Sequence, residues 1–229
     1  MKKRFGKDFY YALRMTLPVM AGYVFLGMTF GLLAKSEGFA WWVPVLMSLV
    51  IYSGALEFAA VPLMGSFDPI GALLLGIMLS ARHLFYGIPM LKKYEGTKMA
   101  KPFLIFGLTD ETFSILSTAE PEDGVNPSKF YVLVTLLDYI YWVSGTLVGA
   151  ILGTAINLNL EGLDFVLTAL FVVLFIEQMK TKSGILSGIV GVAASAVSLI
   201  AFGKTYFIVI SMAMIASVLF AGKKVIDRE

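Results

Sequence analysis

The chain has 229 residues, 58% of them hydrophobic and only 15% charged, with a formal net charge of +2 and a mean hydropathy of +0.83. Soluble domains carry about 25% charged residues and expose a large share of their surface, so a soluble globular fold is excluded. The small net charge, with no basic run interleaved by aromatics, excludes a nucleic-acid surface, and the absence of cysteine excludes disulfides, thiolate chemistry and iron–sulfur clusters.

The apolar residues come in blocks. A membrane-spanning helix needs about 20 of them, and the candidate segments in chain order are Tyr11–Ala34, Trp41–Met64, Pro69–Leu91, Pro102–Thr118, Phe130–Ile156, Leu163–Met179, Gly184–Phe202 and Thr205–Ala221. These runs are too long for barrel strands and lack their alternation. Backbone polar groups in lipid must be satisfied internally, which leaves helices. The opening "MKKRFGK" resembles the charged start of a signal peptide, but the apolar stretch behind it is longer than a signal core and has no small-x-small cleavage site; it is expected to be a retained first helix. Away from the termini the longest polar connections are Lys92–Lys101, Ala119–Lys129 and Asn157–Gly162, too short for an extramembrane domain. The expected fold is an all-α integral membrane protein, a bundle of about six to eight helical segments. It would form one polytopic transmembrane domain over residues 1–229, multi-pass in the plasma membrane.

Charge placement conflicts with eight plain spans. Lys and Arg cluster at Lys2, Lys3, Arg4 and Lys7; at Lys92, Lys93, Lys98 and Lys101; at Lys180 and Lys182; and at Lys223, Lys224 and Arg228. The positive-inside rule asks for all of them on one face, yet three segments separate the first cluster from the second and three more separate the second from the third. One re-entrant or broken segment in each interval restores the parity; the alternative is that the rule is violated once. Segment 41–64, with Pro44, Gly54, Pro62 and Gly65, is one candidate, and 102–118, short and carrying two acids, is the other. Discontinuous helices of this kind build transporter sites.

The ionisable residues within these segments are Glu57, Arg82, His83, Asp110, Glu111 and Asp138. Each costs roughly 2.5–3.5 kcal/mol at a helix centre, so they are expected to face one another or water. Arg82 is expected to pair with Glu57, Asp110 or Glu111, either lining a pathway or locking helices together. His83 is either a proton carrier or a helix-to-helix donor. In "IYSGALEF", Ser53 and Glu57 share a face one turn apart, and a break near Gly54 would free backbone amides to meet a carboxylate. In "FGLTDETFS", Thr109 is suited to cap a half-helix with Asp110 and Glu111 in its first turn; the alternative places those acids nearer an interface. Gly145, Gly149 and Gly153 form a small-xxx-small ridge for close helix contact. His83 is the sole histidine, and there is no nucleophile elbow or phosphate loop. Nothing requires a metal at His83, Asp110 and Glu111, and neither metal, cofactor nor enzyme activity is expected.

With these motifs in place, the chain resembles the AzlC-type family of branched-chain amino acid exporters. "IYSGALEF", "ARHLFYG" and "FGLTDETFS" carry the likeness in this order and spacing, with "WVSGTLVGA" as a weaker fourth, over roughly Pro18 to Ala150. The resemblance implies efflux of leucine, isoleucine, valine or related apolar amino acids across the plasma membrane, and a small AzlD-type membrane partner. Members of that family usually carry glutamine where this chain has Glu57; a carboxylate there suits pairing with Arg82, a coupling proton, or a cationic group on the substrate.

A zwitterionic substrate needs a cation for its carboxylate and an anion or carbonyls for its ammonium. Arg82, or a half-helix start at Ser53 and Gly54, is the candidate for the first. Asp110, Glu111 or Glu57, with Thr109 beside them, is the candidate for the second. Phe58, Phe85 and Tyr86 are candidate walls for an apolar side chain, and Glu57, His83 and Asp110 are the candidates for proton coupling. The competing expectation is a non-transporting structural or regulatory membrane subunit whose Arg82 and acids only fix helix packing.

Overall fold

The computed structural model describes residues 2–66, 69–119, 121–122, 124–155, 165, 168–169, 172, 175–176, 179 and 182–226, and all regular structure among them is helical. The expected segment Leu163–Met179 lies mostly outside the described residues. The chain divides into two compact units, Met1–Asp164 and Phe165–Glu229. In the first, α1 is Lys2–Ser36, α2 Trp42–Val50, α3 Gly54–Ser66 and α4 Pro69–Lys93; a 3-10 turn, Glu95–Ala100, leads into α5 Lys101–Phe106, α6 Asp110–Thr118 and α7 Pro127–Ala155. In the second, α8 is Lys182–Ile226.

Helices α1 and α7 form the most extensive contact in the first unit, and they run parallel. Thr16 meets Tyr141, Val24 meets Gly145, Met28 meets Gly149 and Lys35 meets Gly153, the two numberings rising together. The approach is backbone on backbone. A Cβ added at Gly145 would lie 2.6 Å from the Val24 carbonyl oxygen, and one at Gly27 would lie 2.7 Å from that of Trp142. Gly31 lies closer still to the Thr146 carbonyl, and Gly149 to that of Met28. Without a hydrophobic drive between helices in lipid, such contact depends on small residues. The ridge expected from Gly145, Gly149 and Gly153 thus has a matching pair, Gly27 and Gly31, on α1.

Both candidate segments are broken. The first breaks at Ile51–Ser53, where Tyr52 takes a φ of 46°, a region uncommon for a residue with a side chain. The second breaks at Gly107–Thr109. At 1.5 Å per residue, α2 and α3 are about 14 and 20 Å long, and α5 and α6 about 9 and 14 Å, so none spans a hydrocarbon core of about 30 Å.

Their contacts along α7 show their course. Trp41 lies by Ile151 and Thr154, Ser48 by Thr146, and Tyr52 by Tyr139, so α2 runs down from the C-terminal end of α7. Then α3 turns back, with Phe58 against Phe30 of α1, beside Gly31. Helix α4, about 37 Å long, packs on α3 and brings Tyr94 against Tyr131 at the start of α7. From that end α5 climbs until Phe103 and Phe106 meet Tyr139, and α6 returns until the Leu116 carbonyl accepts from Lys93 Nζ. Each broken segment therefore enters and leaves at one end of the α1–α7 pair, the two from opposite ends, and their tips meet where the rings of Tyr52 and Phe106 lie 6.0 Å apart.

This course removes the charge conflict for the first two clusters. Lys7 lies beside Gly124 and its neighbour Asp8 accepts from the Asn126 N–H, so both are at the start of α7. Lys93 lies over the Tyr131 ring at the same end. A core of Ala12, Met90, Leu104, Leu116, Phe130 and Val134 seals that end.

In the second unit, α8 has a joint at Gly203, with φ 69° and ψ −177°, a conformation open essentially to glycine alone. It separates the expected segments Gly184–Phe202 and Thr205–Ala221. Among the described residues, Gly6–Ser36, Pro127–Ala155 and Ile185–Gly203 are long and apolar enough to cross a membrane.

The glycine contact makes a direct prediction. Gly149→Leu drives a side chain into the α1 backbone and should cost at least about 3 kcal/mol, at the upper end of overpacking effects. Gly22→Leu, at an exposed α1 position with nothing within 4 Å, should leave stability nearly unchanged. Melting of the two variants in detergent checks this; equal melting would contradict the backbone contact.

Candidate functional site

Breaking a helix inside a membrane exposes N–H and carbonyl groups that must find partners. At the first break these partners come from α7 and from α3 itself. The Tyr139 hydroxyl donates to the Leu49 carbonyl at 2.8 Å, covering the end of α2. The buried Glu57 carboxyl covers the start of α3: Oε1 accepts from the Ser53 N–H at 3.0 Å, and Oε2 accepts from Ser48 Oγ at 2.8 Å and from Trp142 Nε1 at 3.0 Å. Ser48 is also bonded to Thr146 Oγ1 at 2.9 Å. The Trp142 ring lies on Gly54, where a Cβ would come within 2.7 Å of it. Gly54 is therefore small to admit an indole ring, and Glu57 ties α2, α3 and α7 together.

At the second break Thr109 caps α6, its Oγ1 accepting from the Thr112 N–H at 3.2 Å, as its place before two acids suggests. Tyr23 of α1 reaches into this cap, its hydroxyl 2.6 Å from Thr109 Oγ1 and 2.7 Å from Glu111 Oε2. Thr109 Oγ1 lies 3.1 Å from Thr112 Oγ1, which donates to Asp138 Oδ2 at 2.8 Å. Glu111, Tyr23, Thr109, Thr112 and Asp138 thus form one continuous row of oxygens at hydrogen-bond distance between two acids.

The remaining expected residues are placed as follows. Asp110 and Glu111 occupy the first turn of α6, where the helix dipole favours negative charge. Phe58 is buried against Phe30, its ring centroid 5.5 Å away. His83 is half-buried on α4, with Nδ1 3.3 Å from the Ser80 carbonyl. Arg82, Phe85 and Tyr86 lie on α4, which packs on both α3 and α6; their side chains fall outside the described residues. The breaks thus bring Ser53, Gly54 and Glu57 on one tip towards Thr109, Asp110 and Glu111 on the other. Among the described residues, no group of three His, Asp or Glu side chains is arranged to hold a metal.

Residues 18–156 match the family model described as AzlC protein. The chain belongs to the AzlC family. It is 45% identical over 214 residues to the branched-chain amino acid transport protein AzlC of Bacillus subtilis, covering 93% of this chain and 84% of that protein. It is 35% identical over 224 residues to an uncharacterized membrane protein of Helicobacter pylori, covering 97% and 98% of the two chains. The inner membrane protein YgaZ of Escherichia coli is 26% identical over 183 residues, 74% of this chain and 73% of that one. No solved structure matches the chain. This AzlC-family chain is a multi-pass membrane protein.

Several residues of the site carried no functional expectation: Tyr23, Ser48, Tyr52, Thr112, Trp142 and Thr146. Asp138 stands out in sequence as an acid in an apolar run, but nothing there places it; the aromatics and hydroxyls give no such signal, because each acts through a partner on another helix.

The geometry at Glu57 is testable by exchange. Two N–H groups, of Ser53 and Trp142, reach two different oxygens, and an amide has one acceptor oxygen. Glu57→Gln should therefore leave one N–H facing a donor and cost about 1–3 kcal/mol, with a smaller loss for Ser48→Ala. Denaturation in detergent reads both, and a Glu57→Gln protein as stable as its parent would contradict this bonding.

Proposed function

We propose that the protein is a secondary transporter exporting branched-chain or related apolar amino acids across the plasma membrane, proton-coupled and working with a small AzlD-type membrane partner. The observation that carries this reading is the meeting of two broken helical segments, entering from opposite ends, with acids at their tips. Transporters place substrate and coupling ion at such discontinuities, where half-helix ends and side chains replace water. The name of the Bacillus subtilis relative supports the substrate class.

In this reading Arg82 takes the substrate carboxylate, while Asp110, Glu111 and Glu57 form the acidic side of the site. Ser53, Gly54 and Thr109 hold the tips in shape, and Phe58 and Tyr86 contribute apolar surface. Glu57, His83 and Asp110 carry the coupling proton. The chain from Glu111 through Tyr23, Thr109 and Thr112 to Asp138 supports proton movement: its three hydroxyl protons leave one of the four links to be filled by a proton on either terminal acid.

The test is amino-acid flux in proteoliposomes, with and without the small partner, under an imposed pH gradient. Labelled leucine and valine should move saturably and follow the gradient, while a cationic amino acid competes poorly. Arg82→Ala should slow leucine flux at least about tenfold, the scale of one lost charge-assisted hydrogen bond. Absence of flux from folded protein with the partner bound would overturn the reading, and a folded Arg82→Ala protein with the parent rate would remove Arg82 from the site.

A further inference from the structure

Asp138 stands apart from Glu57 and Glu111 at the junction. Glu57 has partners on both oxygens, and Glu111 Oε2 is engaged by Tyr23. Asp138, at 0% exposure, accepts one hydrogen bond, from Thr112 on Oδ2, and its Oδ1 is buried with no hydrogen-bond partner. Two hydroxyls nearby are in the same condition. The Tyr52 hydroxyl is buried without a partner on a residue 4% exposed, and the Tyr52 ring centroid lies 4.9 Å from that of Tyr139, the neighbour of Asp138 on α7. Thr135 Oγ1, one turn before Asp138 on α7, is also buried without a partner.

A buried polar atom with no hydrogen bond calls for an explanation, because leaving it so costs stability. Here the three atoms are all oxygens and belong to elements that meet at one level. Asp138 and Thr135 lie on the α7 face beside the second break, where Thr135 Cγ2 packs on Gly107. Tyr52 is the residue of the first break itself, held there at positive φ. An oxygen set with a carboxyl among its members suits a cationic donor, and an ammonium group brings three N–H bonds to it. The rings of Tyr52, Tyr139 and Phe106 stand beside this position, with centroids 4.9 to 6.1 Å apart. They present apolar surface for the rest of an aliphatic amino acid.

We propose that Asp138 Oδ1, with the hydroxyls of Tyr52 and Thr135, receives the ammonium group of the transported amino acid at the junction of the two tips. This rests on the transport reading above. It moves the ammonium position from the acids of the tips to α7, the element that stays in contact with both tips. Tyr52 then joins the first tip to the substrate, and Thr112, holding Asp138 Oδ2, joins the second.

The test is competition against labelled leucine on the full chain in proteoliposomes. The competitors are 3-methylbutylamine, which keeps the ammonium and lacks the carboxylate, and 4-methylpentanoate, which keeps the carboxylate and lacks the ammonium. In the parent protein 4-methylpentanoate should compete at least about 100-fold more weakly than leucine, because it leaves the oxygens unpaired. In Asp138→Asn the leucine affinity should fall about 10- to 100-fold, and the gap between leucine and 4-methylpentanoate should shrink with it. Tyr52→Phe and Thr135→Val, which remove one hydroxyl each, should show the same narrowing on a smaller scale and serve if Asp138→Asn does not fold. Parent discrimination retained in folded variants would overturn the assignment while leaving the transport reading intact. Loss in Asp138→Asn of a sodium dependence, with amino-group discrimination unchanged, would also overturn it, giving the position to a metal cation. A parent protein that binds no amino acid would overturn both.

Discussion

The contact on which the rest depends is the meeting of two helix backbones, α1 and α7, at Gly27, Gly31, Gly145 and Gly149. In lipid no water is released when apolar helices associate, so van der Waals fit has to hold them, and only residues without side chains bring backbones this close. Once α7 is fixed beside α1, one face of it becomes a column of anchors. Asp138 takes Thr112 of α6, Tyr139 takes the end of α2, and Trp142 and Thr146 take Glu57 and Ser48. A shift of α7 by one turn would detach all of these together.

Much of the polar character of the junction has a structural origin. Interrupting two helices at mid-depth leaves backbone groups that hydrocarbon cannot satisfy, and Glu57, Tyr139 and Thr109 are among the side chains that satisfy them. A residue can serve both purposes, and Thr109 does so visibly: it caps α6 and is also one link between Glu111 and Asp138. Site and scaffold are here made of the same hydrogen bonds.

The sequence disclosed the helices because lipid imposes a length and an apolar composition that few other environments require. The two breaks were legible for a related reason. Segment 102–118 is short and carries two acids, and a return in each interval is what reconciles the lysine clusters with the positive-inside rule. Partners were not legible. The ridge at Gly145, Gly149 and Gly153 announces a close contact without saying which helix makes it, and its counterparts at Gly27 and Gly31 lie more than a hundred residues away. Gly54 shows the same limit: its smallness suggests a ligand or a backbone nearby, and the neighbour is the ring of Trp142. Glu57 and Asp138 look alike in sequence, each an acid in an apolar run. Only the fold distinguishes the one whose oxygens are both engaged from the one with an oxygen left over.

The opposite entry of the two broken segments has a further consequence. The bonds that hold one tip, through Glu57 and Tyr139, are separate from those that hold the other, through Tyr23, Thr112 and Asp138. Each set ends on the α1–α7 pair, and the ring of Tyr139, against Tyr52 on one side and Phe103 and Phe106 on the other, is where the two tips share a support. In the transport reading, the two breaks at Tyr52 and at Gly107 are the hinges available for exposing the junction first to one side of the membrane and then to the other.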